Sequence, residues 1–112
     1  MKHTESLKKR NEFSKVYKKG KSFANKYLVV YTLANNYDIN RLGITVSKKV
    51  GNSVVRSRVT RLIRENYRLR EDQILNTGKD IIIIARSSAQ EASYIDISNS
   101  LEKLLKQHRL WE

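Results

Sequence analysis

Apolar positions recur along this chain with two different periods. Over Asn11 to Lys19, Phe13, Val16 and Tyr17 fall at helical spacing, and Gly20 follows where a left-handed C-terminal cap would sit, so a short first helix is predicted. Between residues 23 and 34 the period drops to two. Tyr27, Val29 and Tyr31 alternate with Leu28, Val30 and Thr32, and Asn35-Asn36-Tyr37-Asp38 then reads as a turn. Arg41 to Ser47 is the return strand, with Leu42, Ile44 and Val46 on a core face and Gly43, Thr45 and Ser47 on an open one. After the loop Lys48 to Asn52, Val55, Val59, Leu62, Ile63 and Leu69 share one stripe of a long amphipathic helix from Ser53 to about Arg70. Asp80 to Arg86 holds an unbroken aliphatic run that suits a central strand covered on both faces. Ser93 with Asp96 resembles a capping box, opening a last helix whose apolar stripe is Tyr94, Ile97, Leu101, Leu104 and Leu105.

The order αββαβα predicts an α+β fold, a two-layer sandwich whose mixed sheet has four strands if residues 23–34 divide into two. The 112 residues fit one domain, 1–112, with residues 1–6 and 108–112 expected to fray. There is no Cys, hence no disulfide or thiolate site, and no apolar stretch long enough for a membrane span or an export signal, so a cytoplasmic protein is expected.

Charge changes the picture. The formal net charge is +12, and residues 1–70 carry 18 basic and 4 acidic side chains against 5 and 7 in residues 71–112. A bias this large suggests one anion-binding region, with nucleic acid as the natural partner. On the long helix Ser57, Arg61, Arg64 and Arg68 recur on the face opposite the apolar stripe, flanked by Arg56 and Arg58, with only Glu65 to offset them. Arginine's planar fork suits phosphate oxygens and stacks on bases, so this comb reads as an RNA-binding face. Lys48, Lys49 and Asn52 stand beside the helix N-terminus, which itself attracts phosphate.

A second candidate is aromatic. Phe13 and Tyr17 on the first helix, with Tyr27, Val29 and Tyr31 on the first strand, are core residues or the lining of a groove over the open sheet face, where an unpaired nucleotide strand could stack. Lys15, Lys18, Lys19, Lys21 and Lys26 would hold its backbone. No catalytic constellation emerges: His3 and His108 read as free surface residues, Glu5, Glu12, Asp38 and Glu65 are too scattered for a metal site, and Glu71 and Asp72 read as a solvated helix end. No catalytic or metal-binding residue and no small-molecule substrate is predicted.

The stretch Lys48-Lys49-Val50-Gly51-Asn52-Ser53-Val54-Val55-Arg56-Ser57-Arg58-Val59-Thr60-Arg61-Leu62-Ile63-Arg64-Glu65 resembles the signature helix of the bacterial ribonuclease P protein subunit. Leu7 to Gly20, Ser22 to Asn25, Val29 to Tyr31 and Asp80 to Arg86 are similar to other segments of that family, and the likeness covers about residues 7–107. The resemblance implies a partner RNA that is itself the catalyst and carries most of the magnesium. Its substrate would be precursor tRNA, cleaved at the 5′ end of the mature sequence. The family's arginine-rich helix faces the catalytic RNA, which carries over to Arg56, Arg58, Arg61, Arg64 and Arg68 with Lys48, Lys49 and Asn52. Its cleft holds the single-stranded 5′ leader, which carries over to Phe13, Tyr17, Val29 and Tyr31. A left-handed strand–helix–strand crossover is also implied, against a rule that holds in about 98% of such connections.

Three positions depart from the family's pattern: Ser57 where Asn is usual, Ser53 where Ala is usual, and Thr60 where a basic residue is usual. Any bidentate contact made through the amide is expected to be weaker with Ser57. The alternative reading is a structural RNA-binding module of ribosomal-protein type, which accounts for the comb but leaves the groove without a task. A self-sufficient nuclease lacks the acid–base cluster it would need.

Overall fold

In the computed structural model, which describes residues 1–111, a five-stranded mixed sheet carries three helices. In chain order the elements are β1 (Thr4–Ser6), α1 (Arg10–Lys19), β2 (Lys21–Ala24), β3 (Leu28–Ala34), β4 (Asn40–Thr45), α2 (Ser53–Arg70), β5 (Lys79–Ala85) and α3 (Tyr94–Gln107), with 3-10 turns at Glu71–Gln73 and Ser87–Glu91. The sheet order is β1-β4-β5-β3-β2. The aliphatic run of β5 lies at its centre, parallel to β4 and antiparallel to β3. The β-rich stretch divides at Asn25–Tyr27 into β2 and β3, which pair antiparallel.

Leu28 and Val30 of β3, Leu42 of β4 and Ile81 and Ile83 of β5 meet Val59, Ile63 and Tyr67 of α2 and Ile97, Leu101, Leu104 and Leu105 of α3 in the main core. On the other face Ile82 packs against Val16 of α1 and Leu7, a smaller core edged by Phe13, Tyr31, Leu33 and Ile84. Two helices therefore cover one face and one short helix covers part of the other. The last helix opens with the expected box: Ser93 Oγ accepts from the Asp96 N–H at 3.1 Å and Asp96 Oδ2 from the Ser93 N–H at 2.9 Å.

The structure corrects several sequence expectations. Residues 1–6 do not fray: β1 pairs parallel with β4, and the Lys2 and His3 N–H groups donate to Glu71 at 2.8 and 3.0 Å. Glu71 is accordingly buried rather than solvated. Burial alone would raise its pKa, but those N–H donors and the Thr4 hydroxyl hold it below the usual carboxylate value. Nor do residues 108–111 fray. Leu110 is buried, its carbonyl accepts from the Leu75 N–H, and Trp111 bridges to Ile74; Glu112 lies outside the described residues. Gly20 is extended (φ −77°, ψ 165°) rather than left-handed. A Cβ there would lie 2.5 Å from the Val16 carbonyl oxygen and 2.8 Å from that of Thr32, so the chain turns from α1 into β2 where a side chain would collide. Leu69 and Tyr94 are exposed; Asn66 and Tyr67 take the inner positions on the last turns of α2.

His108, expected to be free, ties the end of α3 to β3. Its Nε2–H donates to the Val30 carbonyl at 2.7 Å, leaving Nδ1 to accept from the Thr32 hydroxyl at 3.1 Å, and its ring meets Phe23 edge-on at 4.8 Å. Burial pushes its pKa down, opposed by the bond to Val30 and reinforced by Lys21 and Lys79. The unfolded chain thus takes up a proton near the ordinary value of 6.5, where the folded chain does not, and stability falls as pH drops below that value. His108→Gln removes this component. Urea midpoints at about pH 7 and about pH 5.5 should differ less for the variant than for the parent, and an equal difference would assign the pH dependence to other groups.

Candidate nucleic-acid interface

Helix α2 begins at Asn52, whose side chain accepts from the Val55 N–H at 3.0 Å and caps the helix. With Val59, Ile63 and Tyr67 buried, the periodicity turns Ser57, Arg61, Arg64 and Arg68 outward, and all four are exposed. The flanking arginines behave differently. Arg58 donates to the carbonyls of Gln90 (2.5 Å) and Ala92 (3.4 Å), so its guanidinium serves the 3-10 turn before α3. Arg56 is half-buried, and its Nε has no hydrogen-bond partner. Arg68 is paired with Glu65 at 2.5 Å, which holds the Glu65 carboxyl below its usual pKa. Among the described residues, Arg61 and Arg64 have no carboxylate partner. Arg56, Ser57, Thr60, Arg61 and Arg64 line one hollow with Val46 and Ser53. Thr60 is turned inward along the backbone, its hydroxyl donating to the Arg56 carbonyl at 2.8 Å. Lys48 and Lys49 are exposed in the turn before the cap.

The aromatic residues assemble on the opposite sheet face. Strand register places Val29, Ile84 and Thr45 in one row and Tyr31, Ile82 and Gly43 in the next. Helix α1 crosses these rows, bringing the Tyr17 ring 5.2 Å from Tyr31 and 6.5 Å from Phe13, with the Tyr17 and Thr45 hydroxyls 3.4 Å apart. Tyr17 is exposed, and Phe13, Val29, Tyr31 and Ile84 are half-buried, a stacking surface beside an apolar floor. Gly43 leaves room for Phe13 rather than for a nucleotide, since a Cβ there would stand 2.5 Å from the ring's Cζ. Ile84 is a groove residue the sequence reading missed, because nothing within an unbroken aliphatic run marks which member loses its cover. Tyr27, by contrast, packs with the main core on the other face, and Lys21 and Lys26 stack over Phe23 and Tyr27 instead of entering the groove. The comb and groove adjoin at one edge, where Phe13, Gly43, Ile44 and Arg64 line a common hollow beside β1.

What holds α1 across the sheet is Arg41. Its Nε and Nη2 donate to the two oxygens of the buried Asp80 carboxylate at 2.7 and 2.8 Å, and its Nη1 to Glu12 of α1 at 2.6 Å. The Arg41 bond lowers the Glu12 pKa, and the Asp80 bond raises that of Arg41. Tyr37 lies over the guanidinium at 4.7 Å.

Residues 1–109 match the model of the protein family described as Ribonuclease P. The chain belongs to the ribonuclease P protein family. It is 58% identical over 107 residues to the ribonuclease P protein component of Lachnoclostridium phytofermentans, covering 96% of this chain and 91% of that protein. The corresponding protein of Clostridioides difficile is 54% identical, over 92% of this chain and 90% of its own length. Among solved structures, the Staphylococcus aureus RNase P protein superposes with a TM-score of 0.86 at 46% identity, covering 96% of this chain and 97% of that one. The Thermotoga maritima protein does so with 0.82 at 33%, covering 92% and 96%. This ribonuclease P fold thus places comb and groove on two faces joined at the β1–β4 edge.

Removing Arg41 tests what seats α1. In Arg41→Leu the buried Asp80 carboxylate keeps only the Asn35 amide (2.9 Å), and the expected loss of stability is about 3 kcal/mol. Urea unfolding measures it; a loss below about 1 kcal/mol would mean that apolar contacts alone hold the helix.

Proposed function

We propose that this chain is the protein subunit of ribonuclease P and acts in the cytoplasm on precursor tRNA. The comb docks the catalytic RNA and the groove holds the single-stranded 5′ leader. The observation that carries this reading is the adjacency of the two surfaces: a strand lying on Phe13, Tyr17, Val29 and Tyr31 passes directly beside Arg64. A structural module of ribosomal-protein type would need the comb and leave an apolar, aromatic half-face uncovered.

The protein's part is binding. Arg61 and Arg64, with Arg56, Arg68, Lys48 and Lys49, neutralise phosphates of the catalytic RNA; Arg58 and the Asn52 carboxamide contribute by bracing the N-terminal half of α2 that carries that face. Leader stacking on the aromatic wall adds affinity for precursor over mature tRNA. In this division of labour the RNA carries the magnesium, and the protein lowers the concentration required by improving substrate binding.

Precursor tRNA cleavage at low magnesium by a bacterial catalytic RNA, by this protein, and by both together tests the reading. Cleavage at the mature 5′ end that appears, or rises steeply, only with both is expected; no enhancement by a protein that still binds RNA would favour the structural module. Arg61→Ala should weaken binding to the catalytic RNA and flatten the dependence of log affinity on log salt by about one unit. An unchanged slope would remove Arg61 from the contact. Tyr31→Ala should reduce affinity for precursor by about 1–3 kcal/mol and leave mature tRNA binding unaltered. Equal losses for both would separate Tyr31 from the leader.

A further inference from the structure

The groove has no wall at its β2 edge. Ser22 and Ala24, the β2 residues that share its rows with Tyr31 and Val29, are both small and exposed. The other side of the same strand and the turn after it are basic and aromatic: Lys21 lies over Phe23 at 5.4 Å and, in the turn, Lys26 over Tyr27 at 5.2 Å. Immediately beyond, Lys26, Tyr27, Asn99 and Lys103 line a hollow between the β2–β3 turn and α3. This hollow is built on a fixed frame. The Asn25 amide donates to the Ser100 carbonyl at 2.9 Å, the Ser100 hydroxyl donates to Asn25 Oδ1 at 2.5 Å, and Arg86 donates to the Asn25 carbonyl at 2.8 Å. Among the described residues, no carboxylate stands within ion-pair distance of Lys21, Lys26 or Lys103. Asp96 also lines the hollow; the Ser93 bonds that cap α3, with smaller contributions from the Lys26 charge and the Tyr27 hydroxyl, hold its carboxyl below the usual pKa, so one negative charge stands beside the lysines.

Lysines over aromatic rings beside a polar hollow fit a single nucleotide strand, which offers a phosphate and a base face at every step. Lys18 and Lys19, in the last turn of α1, are exposed just before Lys21 opens β2. We propose that the precursor's 5′ leader continues past the groove, folds over the β2 edge, and lays its distal nucleotides in the hollow between the β2–β3 turn and α3, with phosphates on Lys21, Lys26 and Lys103. This rests on the leader-binding reading above and extends it to a second surface on the helix-covered side of the sheet.

The test uses the assembled holoenzyme and two precursors whose leaders span the ends of the usual single-strand site range, about 4 and about 16 nucleotides. Lys26→Ser with Lys103→Ser leaves the comb and groove untouched. With the long leader, the double variant should bind more weakly than the parent and its salt slope should flatten by about 1.4, two contacts at about 0.7 each. With the short leader the two proteins should bind alike, which also checks that the variant is folded. Equal weakening with both leaders, or none with the long one, would overturn the proposal while leaving the groove intact. Failure of the parent protein to stimulate cleavage of either precursor would overturn the leader-binding reading and this extension together.

Discussion

A single guanidinium, Arg41, sets where α1 lies on the sheet. The apolar contact of Val16 with Ile82 and Leu7 holds the helix to that face, but hydrophobic burial is non-directional and does not choose an angle. Three short bonds from Arg41 do, two to Asp80 at the sheet centre and one to Glu12 in the first turn of α1. Such a buried pair contributes little net free energy over apolar packing of the same volume; its contribution here is placement. Phe13 follows Glu12 directly and Tyr17 stands one turn later, so the aromatic wall inherits its position from that anchor.

The same uneven use of the sheet separates two kinds of surface. The face beneath α2 and α3 supplies most of the core, enough to tolerate a helix whose outer side gathers like charges at unfavourable spacing. Tyr67 shows how far that burial goes: its hydroxyl, bonded to Thr4 at 3.1 Å, is pushed up to about 12 by desolvation. The other face keeps only one short helix, and apolar and aromatic side chains remain half-open beside it. Electrostatic repulsion on one side and incomplete burial on the other are both relieved by a polyanion with flat, stackable bases.

Much of this was legible in the residues. The aliphatic run of Ile81 to Ile84 pointed to a central strand and the Ser93 and Asp96 pair to the start of α3, because each depends on local period or capping chemistry, whereas the open face expected of Arg41 to Ser47 is closed at Gly43 by Phe13. Comb and groove followed from the same periods, whereas Arg58's turn toward Gln90 did not, since it answers to carbonyls 32 residues away. Strand β1 was invisible for a related reason: Thr4 to Ser6 has no apolar pattern and becomes a strand only because β4 offers an edge and Glu71 an acceptor. His108 and Arg41 are further cases in which partners distant in sequence set the role.

The central place of β5 also governs when this chain can fold. During synthesis β1 has only β4 as a strand partner and β2 only β3, and the two pairs share no ladder until residues 79–85 emerge to lie between them. Closure waits longer still, for His108 to reach Val30 and for the Leu110 carbonyl to reach Leu75. The two strand pairs therefore stay unjoined from the synthesis of residue 45 until that of residues 79–85, and the core over them closes only when α3 follows, a burden set by contact order rather than by stability.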